Sequence, residues 1–442
     1  MINLFDRYTQ SSRDLHDSLK AAGYDQATVV VTEDGFLPDH VSSPFSYYTK
    51  IYEQVGRPLY FNQVDCPNFW EIRGNNHDAT IYDEDKKMAN IIYVPNLAHK
   101  RYVQKVEWLD LNGHIRSVDH YSKNGNKFAH TNYNIMNQPT ITTYYSVDNH
   151  EIIVENHITK DIILNLNQQV YIFKSRADFV TYYLKSVYGN DMNRILYNSL
   201  SVPFLVSYQL EQPGDDLLFW QEPLAQDMIL PGNMINLLEH HGRTQKIIFQ
   251  NKIDYNKVQN KYPHLAHQLS YVGYIYPINK HDQDPNEALI LTNSDDIEQI
   301  TQIVEDLPSV NFNIGALTEM SSKLMRLMKY QNVTLYPNIE YHVIDELLTT
   351  CAFYLDINHD MEIMSAVRRA FLNNLLILTF DNTSHNQEFT LPEHIFTTNN
   401  SSELVNSVLK YMSNRQMLSD ALILQQNHAN QSSIDDYQNI IN

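Results

Sequence analysis

The side chains best placed to do chemistry lie between residues 354 and 382, in YLDINHDMEIMSAVRRAFLNNLLILTFDN. An apolar strand runs there into a loop with His359 and Glu362, and a helix carrying Arg368 and Arg369 follows. In an open α/β sheet, ligands bind at the carboxyl ends of strands. The free amides and dipole of a helix N-terminus favour phosphate at such a place. A carboxylate at such a place accepts two hydrogen bonds at once. Arginine has no acceptor, so Arg368 and Arg369 cannot make that contact. His359 stands where a ligand would bind, although an internally bonded loop histidine is the commoner case.

Other chemistry lacks its residues. No Gly-Lys-Ser/Thr phosphate loop, no Gly-x-Gly-x-x-Gly and no Gly-x-Ser-x-Gly elbow occurs. The pair His240-His241 has no third ligand at metal spacing, and Cys66 and Cys351 stand far from any zinc pattern, so no metal is expected. Two thiols in 442 residues fit a reducing compartment. The 32 basic and 52 acidic residues leave a formal charge of -20, which repels duplex nucleic acid. The opening MINLFDRYTQ lacks a basic stretch leading into an apolar core, and no apolar run reaches the ~20 residues of a membrane span. A cytoplasmic location is therefore expected, with peripheral contact at the inner face of the membrane left open.

The elements that must position these residues form two α/β patterns with an interruption. Residues 2–5 read as a strand, 11–22 as a helix stopped by Gly23, and 27–32 as a buried parallel strand. From about 66 to 175 the period changes to alternation. The turns Asn112-Gly113 and Asn124-Gly125 separate runs rich in Val, Ile, Tyr and His, which predicts an antiparallel meander of six to eight strands. Strand and helix alternation resumes with a helix at 176–188 and strands near 195–198 and 217–220. A helix opened by Pro231-Gly232-Asn233 follows, and then strands near 246–249, 272–275, 288–291, 311–314, 333–336, 351–355 and 375–379. The expected organisation is a first Rossmann-like domain (1–65 and 176–230), an inserted meander domain (66–175), a second Rossmann-like domain (231–401) and a C-terminal helical segment (402–442).

Two such domains in series are similar to the GT-B architecture of glycosyltransferases. Residues 354–382 resemble its donor-binding element, in which a Glu, seven residues, a second Glu before Ala and a Gly-x-Pro turn follow the strand. By that resemblance the first acid falls on Met361 and the second on Arg369, and the turn reads Asn374-Leu375-Leu376. Glu362 lies one place off, and a local slip could recover it. No slip recovers the second acid. The glycine-rich turn expected after the first strand is replaced by residues 6–13, DRYTQSSR, where Ser11 and Ser12 suit a helix cap. Lys252 and Lys257 stand roughly where the resemblance puts the cations that neutralise a diphosphate.

The resemblance narrows further over MINLFDRYTQSSRDLHDSLKAAGY, GFLPDHVSSPFSYY, PLYFNQVDCPNFWEI, TTYYSVDNHEIIVENHITKDIIL and RILYNSL. Over essentially its whole length, meander included, the chain resembles the GtfB family, the stabilising subunits of complexes that put N-acetylglucosamine on serine-rich repeat adhesins. The resemblance implies a pseudo-enzyme with no cofactor of its own. Its partner would be a catalytic GtfA subunit that holds the UDP-sugar, in a two-plus-two assembly. The adhesin acceptor would then leave through the accessory Sec system. It also places the subunit contact on the meander, where Trp108, Tyr121, Tyr144 and Tyr145 suit either an interface or internal packing of the sheet; the former nucleotide cleft, rimmed by Tyr8, Arg13, Asn233, His359 and Arg369, is read here as the acceptor groove. The alternative is an active glycosyltransferase with a divergent donor site that uses Glu362.

Overall fold

The structure, a computed structural model, describes residues 1–442 other than Asn76, Asn96, Ala98, His99, Asn190, Asp191, Gln226, His241 and Asn399. The pair His240-His241 thus lies partly outside the described residues. Two units divide the chain: 1–273 with 434–442, and 274–433.

The β-branched and apolar runs of the first unit build a parallel sheet in which strand Ile2–Phe5 sits between Thr28–Val30 and Ile195–Tyr197. Val41–Ser42 extends it beyond Thr28–Val30, and Asp216–Trp220, Thr244–Phe249 and Leu269–Tyr271 extend it on the other side. Strand order therefore reverses between Ile2–Phe5 and Ile195–Tyr197, as in a doubly wound fold. Every residue of Ile2–Phe5 is buried, as a central parallel strand covered on both faces requires. Helix Gln10–Ala21 starts at Thr9, whose side chain accepts from the Ser12 amide, so the cap falls earlier than the serines expected for it. Gly23 closes this helix region at a φ of 95°.

Between Val41–Ser42 and helix Arg176–Tyr188 the chain makes a ten-stranded antiparallel meander, from Glu71–Gly74 to Gln169–Phe173. Ten strands exceed the expected six to eight because the runs before Lys100, weak in alternation, also pair. One face of its later strands joins the core of the first sheet. Phe128, Tyr144, Ile153, Ile162 and Leu164 cluster with Phe45, Phe179 and Tyr183. Where the faces meet, Arg176 donates to both oxygens of Glu155, at 2.7 and 2.7 Å from Nη2 and 2.9 Å from Nε.

The second unit repeats the first topology. Asp284–Thr292 pairs with Asn311–Ala316 on one side and Cys351–Asp356 on the other. Val333–Tyr336 extends the first side, and Leu376–Phe380 and Ile395–Phe396 the second, all parallel.

The structure corrects two expected boundaries. The strand Thr244–Phe249 belongs to the first sheet, so the first domain does not end at 230. The strand expected at 272–275 lies earlier, at Leu269–Tyr271, in that same sheet. Apolar runs specify burial and not the sheet that buries them, so a boundary between two like domains is invisible to pattern. The tail is also not one segment. Helices Ser401–Ser413 and Arg415–His428 bury Leu404, Val408, Tyr411 and Leu422 in the second core. Helix Ile434–Ile441 returns to the first unit, where Tyr437 stacks on Phe219 and donates to the Gly273 carbonyl at 2.7 Å.

Candidate functional site

Each sheet has a point where strand order reverses, and in this fold class such a point is where ligands bind. At the first, the residues that follow three adjacent strands are carboxamides: Asn198, Gln221 and Gln250. They bond to one another. Asn198 donates to Gln221 at 2.9 Å, and Gln221 donates to Gln250 at 2.7 Å. The chain continues to the Asp6 amide, which donates to Asn198 Oδ1, and to the Ser11 carbonyl, which accepts from Gln221. The edge is thus filled by its own amides. Burial pushes the Asp6 carboxyl up, against the pull of Arg7 and Arg176.

Of the residues expected to touch acceptor, Tyr8 is buried and its hydroxyl lies 2.8 Å from His16 Nδ1, while His16 Nε2 meets Thr28 Oγ1 at 3.0 Å. Tyr8 is therefore core and not rim. Alternation cannot show this in a loop, because the loop's inward turn depends on which helix face it meets. Arg13 lies over the Tyr8 ring at 5.5 Å, with its Nε buried. Asn233 is exposed in the first turn of helix Gly232–Glu239. Lys252 and Lys257 sit on helix Lys252–Lys261 of the first unit. The strand before them is not a second-domain strand, so they have no part in a donor site there.

At the second reversal, between Asp284–Thr292 and Cys351–Asp356, the two flanking loops are stitched together. The Glu298 amide donates to the Ile357 carbonyl at 2.8 Å, and the His359 amide to the Asp296 carbonyl at 3.1 Å. Thr292 donates to Asn358 at 2.8 Å, and His359 Nε2 meets Glu298 Oε2 at 2.6 Å. Asn382, beyond the next strand, donates to the same Glu298 oxygen. His359 is therefore a satisfied loop histidine.

The neighbouring helix, Ala366–Leu372, has its first free amides covered from within. Glu362 Oε1 accepts from the Val367 amide at 2.7 Å, so the one acid near the expected place caps the helix. Burial pushes its carboxyl up, and that bond partly offsets the rise. Arg369 turns away to Asp345, on helix Tyr341–Thr350, at 2.5 Å. Met361 is exposed and places a thioether where a carboxylate would be needed. Asp356, 2% exposed, holds the His385 ring at 2.6 Å and its backbone amide at 2.8 Å. The other ring nitrogen meets the Asp360 carbonyl, so the imidazole is pushed up to about 9 and is charged at neutral pH, chiefly by Asp356.

Sequence reasoning passed over Asp356, His385, Glu298 and the three carboxamides. A usable signal was present: each carboxamide is the first residue after its strand.

On the meander, Tyr144 is buried against Phe45, with ring centroids 4.5 Å apart, and this corrects its place among the interface residues. Its neighbour Thr143 faces the other way, in a row with Val154, Ile163 and Ile172. Ile172 is 60% exposed and Val170 65%. Trp108 donates to Asp119 at 2.7 Å. Trp108 and Tyr121 pack at the edge of the apolar cluster that Val64, Leu59 and Phe61 help to cover. Tyr145 is half-buried.

Two parallel sheets with the same strand order and an inserted meander define an α/β protein of the GT-B glycosyltransferase type. Its donor-side residues are bonded to one another. Family profiles match as "GtfB N-terminal domain" over 2–48, "GtfB middle domain" over 70–174, "GtfB third domain" over 176–260 and "GftB/GlyA-F C-terminal domain" over 288–425. A Streptococcus pneumoniae protein, the "UDP-N-acetylglucosamine--peptide N-acetylglucosaminyltransferase stabilizing protein GtfB", is 43% identical, covering 99% of this chain and 98% of its own. A chain in a crystal structure of a GtfA/B complex bound to UDP and GlcNAc superposes with a TM-score of 0.93 at 42% identity, covering 100% of this chain and 99% of that one. The pneumococcal O-GlcNAc transferase GtfA, with a TM-score of 0.50 and 12% identity over 99% and 98% of the two chains, shares the fold alone. The chain belongs to the GtfB family.

Proposed function

We propose that this chain is a non-catalytic subunit that stabilises a GtfA-like protein O-GlcNAc transferase and helps to hold its Ser/Thr-rich adhesin acceptor before accessory Sec export. The observation that supports it best is the second reversal point. Glu362 sits on the helix amide that a phosphate would need, Arg369 is held by Asp345, and His359, Asn358 and Glu298 tie the flanking loops together. The UDP-sugar then belongs to the partner. An active enzyme that uses Glu362 is disfavoured, because that carboxylate is already engaged.

The partner contact in this reading lies on the meander face that carries Thr143, Val154, Ile163 and Ile172, with Trp108, Tyr121 and Tyr145 toward its covered end. An exposed apolar sheet face of this kind fits a subunit interface. Acceptor contact in this reading falls, within the first unit, to Arg13 and Asn233; His359 and Arg369 of the second unit are already held by Glu298 and Asp345. A second binding surface beside a catalytic one raises the effective concentration of a weakly held, extended polypeptide. In this reading the assembly works in the cytoplasm, and any contact with the inner face of the membrane would be peripheral. Among the described residues no helix is long and apolar enough to cross a membrane.

The test has two arms. Titrating UDP-N-acetylglucosamine into the purified chain should give no heat of binding and no sugar transfer to a Ser/Thr-rich peptide. Co-expression with the catalytic subunit should raise that subunit's soluble yield. Turnover by the chain alone, or a catalytic subunit equally stable without it, overturns the reading.

A further inference from the structure

Only two asparagines precede glycine, Asn112 and Asn124. Both sit in hairpin turns of the meander, and both glycines have positive φ, 86° at Gly113 and 87° at Gly125. An asparagine followed by glycine is chemically fragile because no side chain screens the next amide nitrogen. The two turns have opposite surroundings.

Asn112 is exposed at the tip between Val103–Leu109 and Ile115–Tyr121. Its amide donates to Asp110 Oδ1, and the Gly113 amide donates to the Asp110 carbonyl at 3.1 Å as the Gly125 amide does to the Ser122 carbonyl at 2.9 Å, but the Asn112 carboxamide makes no hydrogen bond among the described residues. A Cβ built on Gly113 would meet nothing within 4 Å, so the turn stands in open solvent. Asn124 is clamped. Its Nδ2 donates to the Gln54 carbonyl at 2.6 Å and the Tyr52 carbonyl at 3.4 Å. A Cβ on Gly56 would fall 2.1 Å from the Asn124 carbonyl oxygen, and one on Gly125 would fall 2.5 Å from that of Arg57, so backbone presses on the turn from outside. Lys123 fixes the same turn to the Leu37 carbonyl and the Asp39 carboxylate.

We propose that Asn112 is a site of spontaneous deamidation in the folded protein, and that the fold protects Asn124. The Gly113 amide nitrogen gives its proton to solvent base and attacks Asn112 Cγ. The C–N bond of the side-chain amide breaks, and ammonia leaves with a proton from water. Water then opens the cyclic imide at either carbonyl, giving aspartate or isoaspartate, with no oxidant and no cofactor. The new carboxylate appears beside Leu111, at the same end of the sheet as Ile135, Met136 and Ile158. With Leu111 these are exposed tips of three alternate hairpins, whose turns share one end of the sheet, and the Asn137 side chain bridges two of them by accepting from the Ile115 amide at 2.9 Å. Ageing therefore adds charge to an apolar end of the meander.

Peptide mapping by mass spectrometry of the full chain, aged in mildly alkaline buffer, reads both sites at once. Asn112 should convert at least about tenfold faster than Asn124, because opening the second turn breaks fixed hydrogen bonds that the first lacks. In denaturant the two rates should converge. Asn112→Gln should abolish the acidic species that ion exchange resolves, while Asn124→Gln leaves it. Equal native rates, faster loss at Asn124, or an acidic species that survives in Asn112→Gln overturns the proposal.

Discussion

Replacing Arg176 by Met tests whether the meander is held to the first sheet by a charge pair or by apolar packing alone. Arg176 makes three bonds to Glu155, whose side chain is 8% exposed, and its guanidinium lies 5.6 Å from the Phe45 ring. Removing one partner of a buried pair costs about 3–5 kcal/mol, because the other charge is left without compensation. The arginine side chain is 27% exposed, so water can reach the stranded carboxylate, and the lower end, about 3 kcal/mol, applies. For a unit of this size each kcal/mol is worth about 2 °C, so the first transition should fall by about 6 °C. The double variant Glu155→Gln, Arg176→Met removes the stranded charge and should recover at least about 2 kcal/mol of the loss. Two units need not melt together. Calorimetry should therefore be paired with hydrogen exchange, read at 151–156 and 176–188, where protection should fall most. A single variant within about 0.5 kcal/mol of the parent, as for an ordinary surface change, would refute the reasoning. So would a double variant as unstable as the single.

The His385 imidazole is raised to about 9, so the stabilisation it gives is whole below the unfolded value of about 6.5 and is lost as pH climbs through about 9. Thermal scans should show the second unit weakening over that window, and His385→Gln should flatten the slope. Glu362→Gln keeps an acceptor for the Val367 amide, whereas Glu362→Ala removes it and should cost about 1 kcal/mol in urea unfolding; equal stability of the two variants counts against the capping role. Deleting 434–442 exposes the sites of Tyr437 and Ile441, both fully buried, and should cost the first unit about 4 kcal/mol, seen as a lower Tm. An unchanged transition would mean that the returning helix is not part of that core.

Periodicity and turn chemistry were enough to place helix Arg176–Tyr188, the strand Val333–Tyr336 and the antiparallel character of the meander, because each is set by residues a few positions apart. The missing acid at Arg369 was equally legible, since an arginine has no acceptor in any fold. Other features depended on residues far apart in sequence. The strand Thr244–Phe249 reads the same in either domain, and only pairing with Asp216–Trp220 assigns it. Tyr144 and Tyr145 are adjacent aromatics, and only packing against Phe45 decides which one faces inward. By sequence Glu362 is a displaced donor ligand, and only the fold sets the Val367 amide against it; that His359 is bonded internally is the commoner expectation, but its partner, Glu298, is 61 residues away and only the fold names it. Composition and spacing determine which groups a chain can offer. Whether a group is free to bind or already spent on a neighbour is settled only when tertiary contacts bring its partners within hydrogen-bond reach.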